Sequence, residues 1–174
     1  MAIIENVYNM EGFFQTPLFQ TQSNELSTIT QKEKLFKDAE RQWNTLSSEK
    51  GAPGRKVDFE IYKSILYNLE IRKVYLDSKL SLEKFSSIVG TNTTYLSNAV
   101  NNYFGCNFKR LINSYRVARA KELLDGKDCP VSELFSRCGF ASKSVFYVVF
   151  KKVVGMTPLQ YISQSRSPFM IQRN

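Results

Sequence analysis

The chemistry available to this chain is that of binding rather than of bond breaking. The sequence holds 0 histidines, which removes the commonest general base, metal ligand and triad member in one step. Its 3 cysteines, Cys106, Cys129 and Cys138, lack metal-ligand spacing. Each sits near an expected helix end among apolar residues and reads as a buried, reduced thiol. There is no glycine-rich phosphate loop and no matched carboxylate pair. No catalytic residue, metal site or cofactor is expected, and the protein is not expected to be an enzyme. What the chain offers instead is cations at helical spacing. In FKRLINSYRVARAKELL, residues 108–124, an apolar stripe of Leu111, Ile112, Tyr115, Ala118 and Leu123 leaves Lys109, Arg110, Arg116, Arg119 and Lys121 on the other faces.

Such a cationic surface suits a polyanion. The formal net charge is +8 over 174 residues, and it is unevenly placed. Residues 1–50 carry five Lys/Arg against seven Asp/Glu (−2), and residues 51–174 carry 19 against 9 (+10). Charge alone is also compatible with a merely soluble basic surface. No apolar run is long enough to cross a membrane and no secretory signal is present. A cytoplasmic, reducing setting is expected.

The elements that must position these groups are all helical. Residues 1–30 are polar, with scattered aromatics and no sustained period, and read as an arm. A helix is expected over 31–46, with Leu35, Phe36, Ala39, Trp43 and Leu46 on one face and Lys32, Glu33, Lys37 and Glu40 on the other. That apolar face either packs on the main domain or binds a partner or second copy. SSEKGAPGRK, residues 47–56, reads as a linker. Beyond it the pattern predicts a helix from Asp58, as cap, to about Tyr75, with Tyr62, Ile65, Leu66, Leu69 and Val74 inward. Further helices are expected over 82–89 with Ser81 as cap, 93–104 stopped by Gly105, and 108–124 with Asn107 as cap and Asp125-Gly126 closing it. Then come 131–138 with Pro130 in its first turn, 143–154 capped by Ser142, and a last helix opened by Thr157-Pro158. VFYVVFKKVV, residues 145–154, has high β-propensity, but its flanking cap and glycine favour helix. The organisation expected is an extension and linker over 1–56, one domain over 57–166, and a tail over 167–174.

Within that domain one pattern occurs twice. LEKFSSIVGTNTTYLSNAVNNYFG runs from Leu82 to Gly105, and VSELFSRCGFASKSVFYVVFKKVVG from Val131 to Gly155. Leu82 aligns with Val131, Phe85 with Leu134, Val89 with Cys138 and Gly90 with Gly139. After one inserted residue, Leu96 aligns with Phe146, Val100 with Phe150, Phe104 with Val154 and Gly105 with Gly155. Helix, glycine turn, helix is the helix-turn-helix arrangement. The stretch GFASKSVFYVVFKKVVGMTPLQYI, which takes in most of the downstream copy and continues past it, resembles the signature of the AraC/XylS family of bacterial transcription regulators. The residues that carry the likeness are Gly139, Phe140, Ser142, Phe146, Phe150, Lys151, Lys152, Gly155, Thr157 and Pro158. The upstream copy, with TNTTYLSNAVNNYFGCNFKRLINSYRVARAKELL, resembles the first half of the same domain. The resemblance covers about residues 57–166 and does not reach 1–50.

The resemblance implies an all-α fold: two helix-turn-helix subdomains joined by a long central helix, behind a largely irregular N-terminal extension. It implies two recognition helices entering successive major grooves, roughly 34 Å apart. With Leu96, Val100 and Phe104 inward, the first presents Thr93, Thr94, Ser97, Asn98 and Asn101. The second presents Lys143, Ser144, Tyr147, Val148 and Lys151, with Lys152 beside them. Arg116 on the central helix completes the DNA-binding candidates. The chain departs from the family pattern at Val148, Thr93 and Asn98, where Arg is common, and at Phe135, where Ala is common. Both recognition helices thus lack Arg, the side chain suited to bidentate guanine contacts. The implied partners are double-stranded DNA and, for an activator, RNA polymerase, with self-association or another partner through 31–46. The alternative is a degenerate helix-turn-helix pair serving as a protein-interaction module. Salt dependence separates the two, because phosphate contacts weaken steeply with salt.

Overall fold

A computed structural model describes residues 28–49, 56–126 and 129–165. The expected arm before Thr28, residues 50–55 of the linker, and the 167–174 tail lie outside them. The chain divides into two units, 1–67 and 68–174.

In the first unit, α1 (Thr28–Glu49) packs against α2 (Lys56–Leu66). The helix expected over 31–46 is therefore longer at both ends and takes in Ser47–Glu49 of the expected linker. Leu35, Ala39 and Trp43 are buried. The Trp43 ring lies 5.4 Å from Phe59 and 5.7 Å from Tyr62 between centroids, the range of favourable aromatic pairs. Lys32 and Lys63 both cover the Phe36 ring. Tyr62 donates to Gln42 Oε1 at 2.8 Å. The apolar face of α1 is thus spent against α2 inside this unit, and Glu33, Lys37 and Glu40 are exposed away from it, whereas Lys32, expected on that polar side, reaches over the Phe36 ring. α2 opens two residues before Asp58, which is a first-turn acid rather than a cap.

The predicted helix to Tyr75 is interrupted. After α2 the backbone widens into a π-helical turn, Tyr67–Ile71. Lys73 takes a left-handed conformation, φ 50°, ψ 41°, and a 3₁₀ turn Val74–Leu76 follows. A left-handed residue ends an α-helix, so the phase shifts and Tyr75, not Val74, turns inward. The Tyr75 ring lies 5.5 Å from that of Tyr115, tilted by 36°, and the Tyr115 hydroxyl donates to Glu70 at 2.7 Å.

From there the expected helices appear: α3 (Leu82–Val89), α4 (Thr93–Phe104), α5 (Phe108–Asp125), α6 (Leu134–Arg137), α7 (Lys143–Val154) and α8 (Pro158–Ser165). No strand occurs among the described residues, so 145–154 is helical despite its β-branched content. Caps account for most boundaries. Ser81 accepts from Lys84 N, Asn92 from Tyr95 N, Asn107 from Arg110 N and Ser142 from Val145 N. Thr157 and Gln160 form a reciprocal capping box. α6 is shorter than the expected 131–138. Residues 131–133 form a turn closed by Glu133 N to Pro130 O, and Glu133 at the cap position makes no side-chain cap bond.

α5 packs against the 3₁₀ turn, α4, α6, α7 and α8. The core under the second helix-turn-helix repeat gathers Val117, Ala120, Leu123, Leu124, Leu134, Cys138, Phe140, Phe146 and Phe150. Ala120 rather than Ala118 is fully buried on α5. Phe135, at the position where the family favours Ala, packs on this core's edge. Cys106 and Cys138 are buried and Cys129 half-buried, with no disulfide among them; burial pushes the Cys138 thiol up to about 12.

Candidate nucleic-acid interface

The two copies of the sequence pattern are two copies of the same local structure. Phe85 and Leu134, Leu96 and Phe146, and Val100 and Phe150 are each fully buried as aligned pairs. Gly90 and Gly139 hold the turns at φ 83° and 81°, and Gly105 and Gly155 close the second helices. Each unit therefore presents its second helix, α4 or α7, on the same kind of support: a side-chain cap at the N-terminus, an inward row of apolar residues, and an outward row left over.

That outward row on α4 holds Thr94, Asn98 and Asn101, with Thr93 and Ser97 beside them. On α7 it holds Lys143, Ser144, Val148, Lys151 and Lys152, with Tyr147 half-buried. Tyr147 meets Phe146 edge-on, and Lys143 Nζ lies 5.8 Å from the Tyr147 ring centroid. Val148 is 69% exposed, well beyond what the second unit's packing requires of it. Neither helix contains Asp or Glu. Positive helix N-termini, hydroxyls, amides and lysines are the kinds of group that bond phosphates and base edges.

Eleven of the twelve expected binding residues thus lie on α4 and α7: eight are exposed, Thr93 and Ser97 are half-buried, and Tyr147 is half-buried with its ring packed on the core. Arg116 does not join them. It is 9% exposed, and its guanidinium is turned inward: Nε donates to the Tyr75 carbonyl at 2.8 Å and Nη2 to the Asp77 carbonyl at 2.9 Å. Its guanidinium carbon sits 5.6 Å from the Phe140 ring centroid. Burial lowers its pKa and Asp77 opposes that. The expectation that every cation of α5 faces outward fails here because the backbone carbonyls exposed by the 3₁₀ turn need a donor. The sequence did carry a signal: Arg116 is four residues from both Ile112 and Ala120, inside the buried stripe. Asp77, which pairs with Lys84 and accepts from Lys79 N, has its carboxyl held below the usual range by those bonds.

A model of a helix-turn-helix domain matches residues 85–164. The HTH-type transcriptional activator RhaR of Enterobacter sp. strain 638 is 33% identical over 91 residues, 52% of this chain and 32% of RhaR. The chain spans a third or less of the length of the curated relatives it matches first, 32%, 14% and 31% of each. The C-terminal domain of AraT, a response regulator from Geobacillus stearothermophilus, superposes with TM-score 0.55 at 27% identity, over 66% of this chain and 93% of that domain. The C-terminal domain of the two-component response regulator yesN from Fusobacterium nucleatum superposes with TM-score 0.51 at 30% identity, over 56% of this chain and 95% of that domain. Doubled helix-turn-helix geometry and these likenesses agree: the chain belongs to the AraC-type helix-turn-helix family of DNA-binding transcription regulators.

Proposed function

We propose that this chain binds double-stranded DNA through α4 and α7 and acts as a sequence-specific transcription regulator. The observation that carries the reading is the pair of equivalently supported helices whose outward rows are free of carboxylates and hold amides, hydroxyls and lysines. On α4 the outward amides of Asn98 and Asn101 suit direct reading of base edges. On α7 the lysines suit phosphates, and Val148 offers only apolar contact, suited to a thymine methyl. Because the relative from Enterobacter is an activator, activation with RNA polymerase as the second partner is the direction proposed. Self-association through residues 31–46 would have to use the charged side of α1, since the apolar side is covered by α2.

Fluorescence anisotropy with duplexes selected from a random pool tests this. Affinity should fall linearly in log–log form with salt, with a slope of about −0.9 per phosphate contacted. Binding that no duplex supports at low salt, or that salt leaves unchanged, would refute it.

A further inference from the structure

The two helix-turn-helix units meet around a single backbone carbonyl. Tyr75 O, in the turn that leads into the first unit, accepts from Arg116 Nε of the central helix. A Cβ built on Gly139, in the turn of the second unit, would lie 2.4 Å from the same oxygen. The Arg116 guanidinium bridges the two sides, because its Nη2 donates to Asp77 O of the first approach and its central carbon lies 5.6 Å from the centroid of the Phe140 ring in the second unit's turn, within cation–π range. Phe140 in turn is 5.3 Å from Phe146, the buried residue of α7's first turn, and Ser142 caps that helix two residues on. On the other side, Asp77 ties to Lys84 on α3. A short chain of contacts therefore runs from α3 through Arg116 to the foot of α7.

We propose that Arg116 is a positioning residue that fixes the phase between α4 and α7 and so sets the half-site spacing the protein accepts on DNA. The proposal rests on the DNA-binding reading above and adds to it where the spacing is decided. The chemistry of the side chain fits the task. A planar guanidinium can fork to two carbonyls and stack on a ring at once; an ammonium can do only the first, and loosely. A buried cation also resists displacement, because parting the units would strip it of acceptors it cannot replace with water in place. One base pair added between half-sites turns the second by about 35° and moves it about 3.4 Å. A side chain bonded at 2.8 Å and 2.9 Å cannot follow such a shift without losing both bonds.

The test uses the full chain as wild type, Arg116→Lys and Arg116→Gln, with folding checked by circular dichroism. Each is titrated against duplexes holding two selected half-sites at the selected spacing, at one base pair less, and at one and two more, and against each half-site alone at low salt. The wild type should lose about tenfold or more in affinity for each one-base-pair change, and Arg116→Gln less than about threefold. Affinity for either isolated half-site should stay within about twofold, with Arg116→Lys between the two proteins in spacing preference. The proposal is overturned if Arg116→Gln keeps the wild-type spacing penalty. It is equally overturned if the variant weakens isolated half-sites and lowers the salt slope by about 1, which would mark a phosphate contact, or if both variants unfold, which would make Arg116 a residue of the fold only. A wild type indifferent to spacing overturns it while leaving DNA binding intact, whereas a wild type that binds no duplex overturns the DNA-binding reading itself.

Discussion

The Gly139 α-carbon faces the Tyr75 carbonyl so closely that a β-carbon there would come within 2.4 Å of the oxygen and 2.8 Å of Leu76 backbone. Its counterpart Gly90 has the same turn conformation but nothing within 4 Å. Repetition of sequence has therefore not produced repetition of surroundings. Gly90→Ala should cost only the left-handed strain, about 1 kcal/mol. Gly139→Ala adds a backbone clash and should cost about 3 kcal/mol or more. Chemical denaturation of the two variants side by side checks this; equal losses would contradict the packing described.

Glu70 gives the fold a pH dependence. Burial raises its carboxyl from 4.5 to about 7, with Tyr115 and Lys73 pulling down and Glu122 pushing up. Between those values the folded state holds a proton that the unfolded chain has lost, so stability falls as pH rises from about 4.5 to about 7 and stays low above it. A shift of that size corresponds to about 3 kcal/mol. Glu70→Gln keeps an acceptor for the Tyr115 hydroxyl and should remove most of this slope, leaving the variant more stable than wild type about one pH unit above the folded-state value. Urea melts across that whole range decide it, and a variant with the wild-type slope would rule Glu70 out as the source.

On α4, Asn98 stands at the middle of the outward row. Asn98→Ala should cost on the order of 1–3 kcal/mol and relax preference at one base pair. A uniform loss across all sequences would instead place Asn98 on a phosphate.

On α7 the expectation is reversed. Lys151→Ala should weaken binding to every sequence alike and lower the salt slope by about 1, and Val148→Arg should tighten binding. Competition titrations with substituted duplexes check both. Strongest sequence preference in the half-site under Lys143 to Lys151 would show that this division of labour is wrong.

A fragment from Val57 to Arg166 should fold without residues 1–50, since the caps, cores and α5 contacts described for the helix-turn-helix units all fall within it. Proton NMR of the fragment should show dispersed amide signals; a collapsed spectrum beside a dispersed one from the full chain would contradict this.

The legible parts of the fold were those governed by local chemistry. Ser81, Asn107, Ser142 and Thr157 announce helix starts because a short acceptor there meets an otherwise unsatisfied N–H, and all four do so in the structure. The alternation of Phe146 and Phe150 with Lys143, Tyr147 and Lys151 gave the second recognition helix its two sides. What stayed hidden was set by distant partners. Nothing about Lys73 marks it for a left-handed conformation, yet that residue breaks the expected helix and turns Tyr75 inward. The charge of Arg116 points it outward in the sequence, whereas the carbonyls it serves lie 41 and 39 residues away and are exposed only by that break. The short α6 has the same origin as any weak start, a Glu133 that makes no cap bond.

Hydroxyl-radical footprinting of the full chain on a selected duplex tests the central claim most directly, that α4 and α7 both engage DNA. Two protected patches on one face, about 10 base pairs apart from centre to centre, are predicted. A single patch, or protection that is unchanged when Asn98 and Lys151 are both replaced by Ala, would contradict it.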